Sequence, residues 1–218
     1  QGPGMVSALS QWLLPALLVL VALGLWEALV RLLHVPKWLL PTPSAIGKEL
    51  WVSRSILWGH TLITLKEVLI GFALAFVVGV ALAVAIAYSK LLERAIYPFV
   101  IASQTVPIIA IAPLLLIWVG YGIMPKIIVV ALISFFPIVV NMVDGLRSVD
   151  PDMVNMMRNL GAGRWQLFTK LQVPTSLPFL FSGTKVAVAV SVIGAVIGEW
   201  VGASGGLGYI MTLSVPLF

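Results

Sequence analysis

Hydrophobic positions in this chain fall in long unbroken blocks rather than in alternation. The blocks run about Trp12–Leu33, Thr61–Tyr88, Ala95–Val119, Pro125–Gly145 and Ser176–Val201. Each is long enough to cross a lipid hydrocarbon core as a helix, which takes roughly 20 apolar residues. Continuous runs argue against a β-barrel, whose strands alternate apolar and polar positions. The pattern therefore predicts an all-α, polytopic membrane bundle with five spans. One polar island, Val149–Pro178, stands between the last two blocks.

The island predicts two short helices. Asp150 followed by Pro151 is a helix start, because the carboxylate caps orphan N–H groups and proline's fixed φ suits the first position. Met153, Met156, Met157 and Leu160 then recur at one helical face. Gly161 interrupts, and a second run places Trp165, Phe168 and Leu171 on one side, with Pro174 and Pro178 closing the island. Two amphipathic helices between spans either lie in the lipid interface or dock in a partner's groove. Methionine favours docking, since its flexible thioether adapts to another surface.

Within the spans, Gly71, Ala75, Gly79, Ala83 and Ala87 recur every fourth residue, and Gly194, Gly198 and Gly202 do so again. Such ladders permit close helix–helix approach in lipid. Pro98, Pro107 and Pro113 predict a bent or broken third span. Ser103, Gln104 and Thr105 beside Pro107 either line a pathway or satisfy the carbonyls that the break frees. Asn141 lies inside span four and Glu199 near the end of span five. A charge within a span is a functional candidate, so Glu199 is read as a pathway group or as an anchor for the following glycine-rich turn. Glu27 and Arg31 are spaced to pair at the end of span one. Trp38, Trp51 and Trp58 suit an interfacial belt. His34 and His60 are placed together in the loop region Val35–Gly59 and around it, as interfacial residues.

Composition agrees with the blocks. The 218 residues are 61% hydrophobic and 10% charged, against about a quarter charged in soluble domains. The net charge of +5 is scattered, with no tract of the nucleic-acid kind. There is no cysteine, hence neither a disulfide nor a thiolate metal site. No G-x-x-x-x-G-K-[ST] run, catalytic triad or paired-carboxylate site is present, so no catalytic, metal or cofactor residue is assigned. Residues 1–4 read as the scar of a cleaved tag, leaving 5–218 as a single transmembrane domain.

The run Asn155-Met156-Met157-Arg158-Asn159-Leu160-Gly161-Ala162, followed by Pro174 and Pro178, resembles the EAA loop of ABC importer permeases. Gly161 and the prolines match, while Asn155-Met156-Met157 stands in place of Glu-Ala-Ala. The stretch Ile193–Ile210, with Gly198-Glu199-Trp200 and Gly205-Gly206-Leu207-Gly208, resembles the nitrate/sulfonate/taurine branch. That branch also handles bicarbonate and vitamin or pyrimidine precursors. Leu40-Pro41-Thr42-Pro43-Ser44 points the same way.

The resemblance implies a MetI-like permease fold, with a sixth span missing from the chain as it stands. It implies two permease copies, two ATPase subunits that bind ATP and Mg, and an extracytoplasmic solute-binding protein. It places the protein in the bacterial inner membrane, with the N-terminus and the region 149–178 cytoplasmic. Carried onto this chain, the ATPase-coupling residues are Asp150, Met153, Asn155, Met156, Met157, Leu160, Gly161, Ala162 and Trp165. The pathway candidates are Ser103, Gln104, Thr105, Asn141 and Glu199, and the packing glycines are Gly71, Gly79, Gly194 and Gly198. A secondary transporter or channel is the competing class, but it calls for inverted repeats or several intramembrane charges. A membrane scaffold that docks a partner is a third. No arginine cluster suits an anion, so the expected solute is neutral or cationic, such as a vitamin or its precursor, over nitrate or a sulfonate.

Overall fold

The computed structural model describes residues 5–214, with side chains from residue 13 onward. The tag reading of residues 1–4 and the chain's last residues lie outside that range. All regular structure among the described residues is helical. The chain divides into two compact units, one reaching Trp58 and one starting at Gly59.

The first unit holds α1 (Met5–Leu32) and α2 (Pro43–Val52). Arg31 pairs with Glu27 at 2.5 Å, as their spacing predicts. Glu27 also accepts from the Ser44 amide at 3.0 Å and from its hydroxyl at 2.7 Å, tying α2 to α1. Thr42 caps α2 by accepting from the Ala45 amide, and Pro43 takes the first turn. The Pro-Thr-Pro-Ser run is therefore a helix start rather than plain loop.

α3 (Arg54–Tyr88) begins before the predicted span and takes in residues expected to be loop, His60 among them. α4 (Lys90–Ala102) likewise starts before its hydrophobic block, with Ser89 as its cap, so Glu93 and Arg94 are helical. A 3₁₀ turn, Ser103–Thr105, leads to Pro107 and α5 (Ile108–Val119), which leaves at 104° to α4. Of the three prolines, only Pro107 breaks the span; Pro98 and Pro113 sit inside helices. α6 (Met124–Arg147) follows, then α7 (Pro151–Asn159), α8 (Arg164–Leu167), α9 (Val173–Trp200) and α10 (Leu207–Ser214). Among the described residues, four helical stretches are long and apolar enough to cross a membrane, or five when the bent α4–α5 pair counts as one span.

The second unit is built on α6, which packs most extensively against α9. Its face of Ile138, Val139, Met142, Val143 and Leu146 is buried against Ala75, Ala83 and Ile86 of α3, Val100 of α4 and Ala187 of α9. Leucines, valines and phenylalanines on the outward faces are largely exposed, as a lipid-facing surface requires. The small-residue ladder on α3 is real: Gly71, Ala75, Gly79 and Ala83 are all buried. A Cβ on Gly71 would lie 2.6 Å from Val130, and one on Gly79 3.1 Å from Ile138. Gly194 and Gly198 serve α6 in the same way, at Ile133 and Lys126. Gly202 is not part of that helical ladder. It lies past the α9 C-cap with φ +81°, in the turn.

Candidate functional site

Three places in the second unit gather the polar chemistry. The first is the island. Asp150 caps α7 by accepting from the Asp152 amide at 2.8 Å. The helix ends as predicted, because Gly161 takes φ +84°, a conformation that disfavours any residue with a Cβ. The Gly161 and Ala162 amides close the end on the Arg158 and Met157 carbonyls, each at 2.9 Å. The Gly163 amide then donates to Gln166 Oε1 at 2.9 Å and opens α8. The second helix is not a separate short one, as the sequence suggested. It runs through a π-helical turn, Phe168–Gln172, straight into α9, and Pro174 and Pro178 lie inside that continuous helix. Each proline removes one amide donor from that run, and the π-turn just before Pro174 changes the bonding pattern where the first of them enters.

Met153, Asn155, Met156, Leu160, Gly161 and Trp165 are exposed together, with Leu160 at 78% and Trp165 at 73%. Met157 and Ala162 are half-buried. Behind them, Phe168 stacks edge-on against Tyr88 at 5.5 Å, and the Tyr88 hydroxyl donates to Gln172. Arg147 pairs with Glu93 at 2.9 Å and lies over the Tyr97 ring, which joins α4 to α6. Met153, Met156, Met157 and Leu160 share one side of α7 by helical spacing, and Trp165 is exposed at the start of α8.

The second place is the break. Pro107 has no amide, and the Val106 amide takes up the Ser103 carbonyl at 3.4 Å. The Ser103 hydroxyl donates to Val100 O and the Thr105 hydroxyl to Ala102 O, both at 2.7 Å. These hydroxyls therefore satisfy carbonyls, one of the two readings left open. Gln104 has no such partner among the described residues. It stands with Ser103 on a cavity of about 580 Å³, walled by Phe99, Val106, Ile111, Leu132 and Phe135. No charged residue lines it. Thr105, Asn141 and Glu199 do not line it either, so the five expected pathway residues are not brought into one chamber. Asn141 donates to the Pro137 carbonyl at 2.8 Å and faces Gly183 at the α6–α9 contact.

The third place is Glu199, which is buried rather than reaching water. Its Oε1 accepts from Thr64 Oγ1 at 2.6 Å and its Oε2 from the Gly208 amide at 2.5 Å. The Leu207 amide donates to Thr64 and the Gly206 amide to His60 Nδ1, at 2.9 and 3.0 Å. The glycine-rich stretch, whose sequence reads as a tight external turn, is therefore not a free one. It folds inward, with Gly205, Gly206 and Gly208 buried, and α10 begins within it. Gly206 sits at φ +116°, and a Cβ there would run into the Glu199 carboxylate.

Beside Glu199 lies a pair that sequence reasoning missed, Glu67 and Lys126, joined at 2.9 Å. One signal for it was present. His60, Thr64, Glu67 and Gly71 fall at i, i+4, i+7 and i+11, one polar stripe on an otherwise apolar helix.

Residues 53–215 match the family described as binding-protein-dependent transport system inner membrane component. Among curated proteins, the formylaminopyrimidine transport permease protein ThiX of Halalkalibacterium halodurans is 41% identical over 91% of this chain and 80% of its own. The riboflavin transport system permease protein RibX of Chloroflexus aurantiacus is 39% identical over 94% of this chain and 77% of its own. Among solved structures, the inward-facing MetNI methionine ABC transporter matches with a TM-score of 0.62 at 22% identity. That match covers 77% of this chain and 82% of the other, and it speaks for the fold. With a family match across three quarters of its length, this chain belongs to the binding-protein-dependent inner-membrane permeases, the multi-pass membrane subunits of ABC importers.

Proposed function

We propose that this permease moves a small neutral organic solute, a vitamin or vitamin precursor, handed over by an extracytoplasmic binding protein. Two copies form the pathway in the bacterial inner membrane, with the N-terminus and the region 149–178 cytoplasmic. Two partner ATPase subunits carry the ATP and Mg. They dock on the face of Met153, Met156, Met157, Leu160, Gly161 and Trp165, and their closure moves α7 and α8. The observation that carries the solute class is the uncharged cavity at the broken span, where apolar and aromatic walls surround one unbonded amide, Gln104. Such a lining desolvates a flat, neutral molecule cheaply and orients it by a few hydrogen bonds. A nitrate or sulfonate would meet no cation there. The permeases named for formylaminopyrimidine and riboflavin transport support this class, while the putative aliphatic sulfonates permease SsuC of Bacillus subtilis, 32% identical over 92% of this chain, supports the sulfonate alternative.

The test is hydrolysis and uptake in liposomes, after co-expression with the neighbouring genes and with the candidate binding protein added or left out. Hydrolysis that rises with loaded binding protein supports the importer, and a ligand screen on that protein names the solute. A binding protein selective for an inorganic anion would overturn the solute class. Gly161→Val probes the docking loop. No atom lies within 4 Å of a Cβ there, so the substitution acts through backbone conformation alone. Left-handed backbone costs an L-residue roughly 1–2 kcal/mol, enough to depopulate the loop geometry about tenfold. Uptake is expected to collapse while the variant folds and its ATPase partner still turns over; normal uptake would count against this docking face.

A further inference from the structure

Glu67, Lys126 and Glu199 form a charge cluster that does not balance. Glu67 and Glu199 are each 1% exposed and Lys126 8%. Thr64, which donates to Glu199 at 2.6 Å, stands one helical turn before Glu67 on α3, and Lys126, bonded to Glu67, packs against Gly198 next to Glu199, so the two carboxyl groups are neighbours. Lys126 is the one cation paired with them, through Glu67 Oε1. Both Glu199 oxygens already have donors, Thr64 and the Gly208 amide. Glu67 Oε2 has none and is fully enclosed. With both carboxyls ionised, one excess negative charge and one unpaired acceptor would be sealed inside a membrane bundle, a combination that folded proteins avoid.

The other groups facing the cluster do not correct this. On α3, His60 is occupied in accepting the Gly206 amide through Nδ1. From α10, Tyr209 stacks on that imidazole at 6.1 Å between ring centres. α5 carries no charged residue. What completes every bond is a hydrogen on Glu67 Oε2 directed at Glu199.

We propose that Glu67 and Glu199 together bind one proton, held on Glu67 and donated to Glu199, and that this proton locks the glycine turn before α10 onto α3. With it the cluster is neutral and each carboxyl oxygen is paired. Without it, two enclosed carboxylates would share a single ammonium. Lys126 also borders a cavity of about 530 Å³ with Tyr121, Gly202 and Gly205, which gives water a route to the site. If the helices part and water enters, the proton leaves and the two carboxylates repel. Opening this end thus releases a proton and closing it takes one up.

The test uses the full chain in lipid nanodiscs. Infrared difference spectra between H₂O and D₂O are expected to show a protonated-carboxyl C=O band at neutral pH, where free carboxyls are ionised. Glu67→Gln and Glu199→Gln should each abolish it. The folded state holds a proton that the unfolded carboxyls have released, so this stability is full at low pH and lost as pH rises through the folded site's titration. The wild-type unfolding midpoint should therefore fall as pH rises from about 4, where free carboxyls begin to ionise, toward the folded site's own titration. Glu67→Gln should hold it level, because its amide donates to Glu199 permanently and still accepts from Lys126. Should Glu199→Gln fail to fold, Glu67→Gln alone decides. No band in the wild type, a band that survives Glu67→Gln, or equal pH slopes in the two proteins would each overturn the proposal.

Discussion

Lys126→Met is expected to be the most damaging single substitution in the bundle. It deletes the ammonium that meets Glu67 at 2.9 Å, and the pair has side-chain exposures of only 9% and 1%. Breaking a buried pair from one side leaves an uncompensated charge and costs about 3–5 kcal/mol. A protein of this size would then lose roughly 10 °C of its unfolding midpoint. Methionine fills much the same volume as the lysine stem, so packing against Gly198 survives and the loss reports charge. Glu67→Gln, which keeps an acceptor for Lys126, is expected to cost far less. Thermal unfolding in nanodiscs measures both; equal midpoints for Lys126→Met and wild type would show that water reaches the pair.

Gly183→Val is expected to come next. A Cβ at Gly183 would stand 2.5 Å from the Pro137 carbonyl oxygen and 2.8 Å from Asn141 Cβ. The first is backbone in the middle of α6, with no rotamer to yield. Overpacking of this kind costs typically about 1–3 kcal/mol, with more where nothing gives way. The loss should appear as a lower midpoint and poor membrane yield, with Gly183→Ala intermediate. Gly59→Ala is the control. Nothing lies within 4 Å of that position inside α3, and alanine there gains about 1 kcal/mol of helix propensity. If Gly183→Val and Gly59→Ala behave alike, α6 and α9 are not in contact at this level.

Gly183 also shows what the sequence made legible and what it hid. Ladders at fourfold spacing found Gly71, Gly79, Gly194 and Gly198, each of which meets a neighbouring helix. Gly183 lies off the Gly194 ladder but heads another at the same spacing, Gly183, Ala187, Ser191 and Ala195, all buried, which a count of glycines alone passes over. Span positions and the Asp150–Gly161 helix were readable because periodicity and caps are local. The continuity of α8 with α9 was not, since two prolines ordinarily end a helix, yet here the run passes through a π-turn and both prolines without a break. Lys126 was hidden by its place after Pro125 at a helix start, where a lysine usually reaches out to water. It turns inward because Glu67, 59 residues earlier, awaits it. The pathway candidates line no common cavity for a related reason. Ser103 and Gln104 share a cavity with residues far along the chain, and spacing does not encode which distant helix supplies the other wall.

The unbroken helical run from Arg164 to Trp200 has a mechanical meaning. Its 37 residues make a shaft of roughly 55 Å at 1.5 Å per residue. One end carries Trp165 and the other Glu199. Where a soft linker would absorb a push as local bending, this run contains no loop in which to lose it. A tilt imposed at the tryptophan is delivered as a swing of the far tip, and the side chains that meet that tip fix the angle at which the swing must stop.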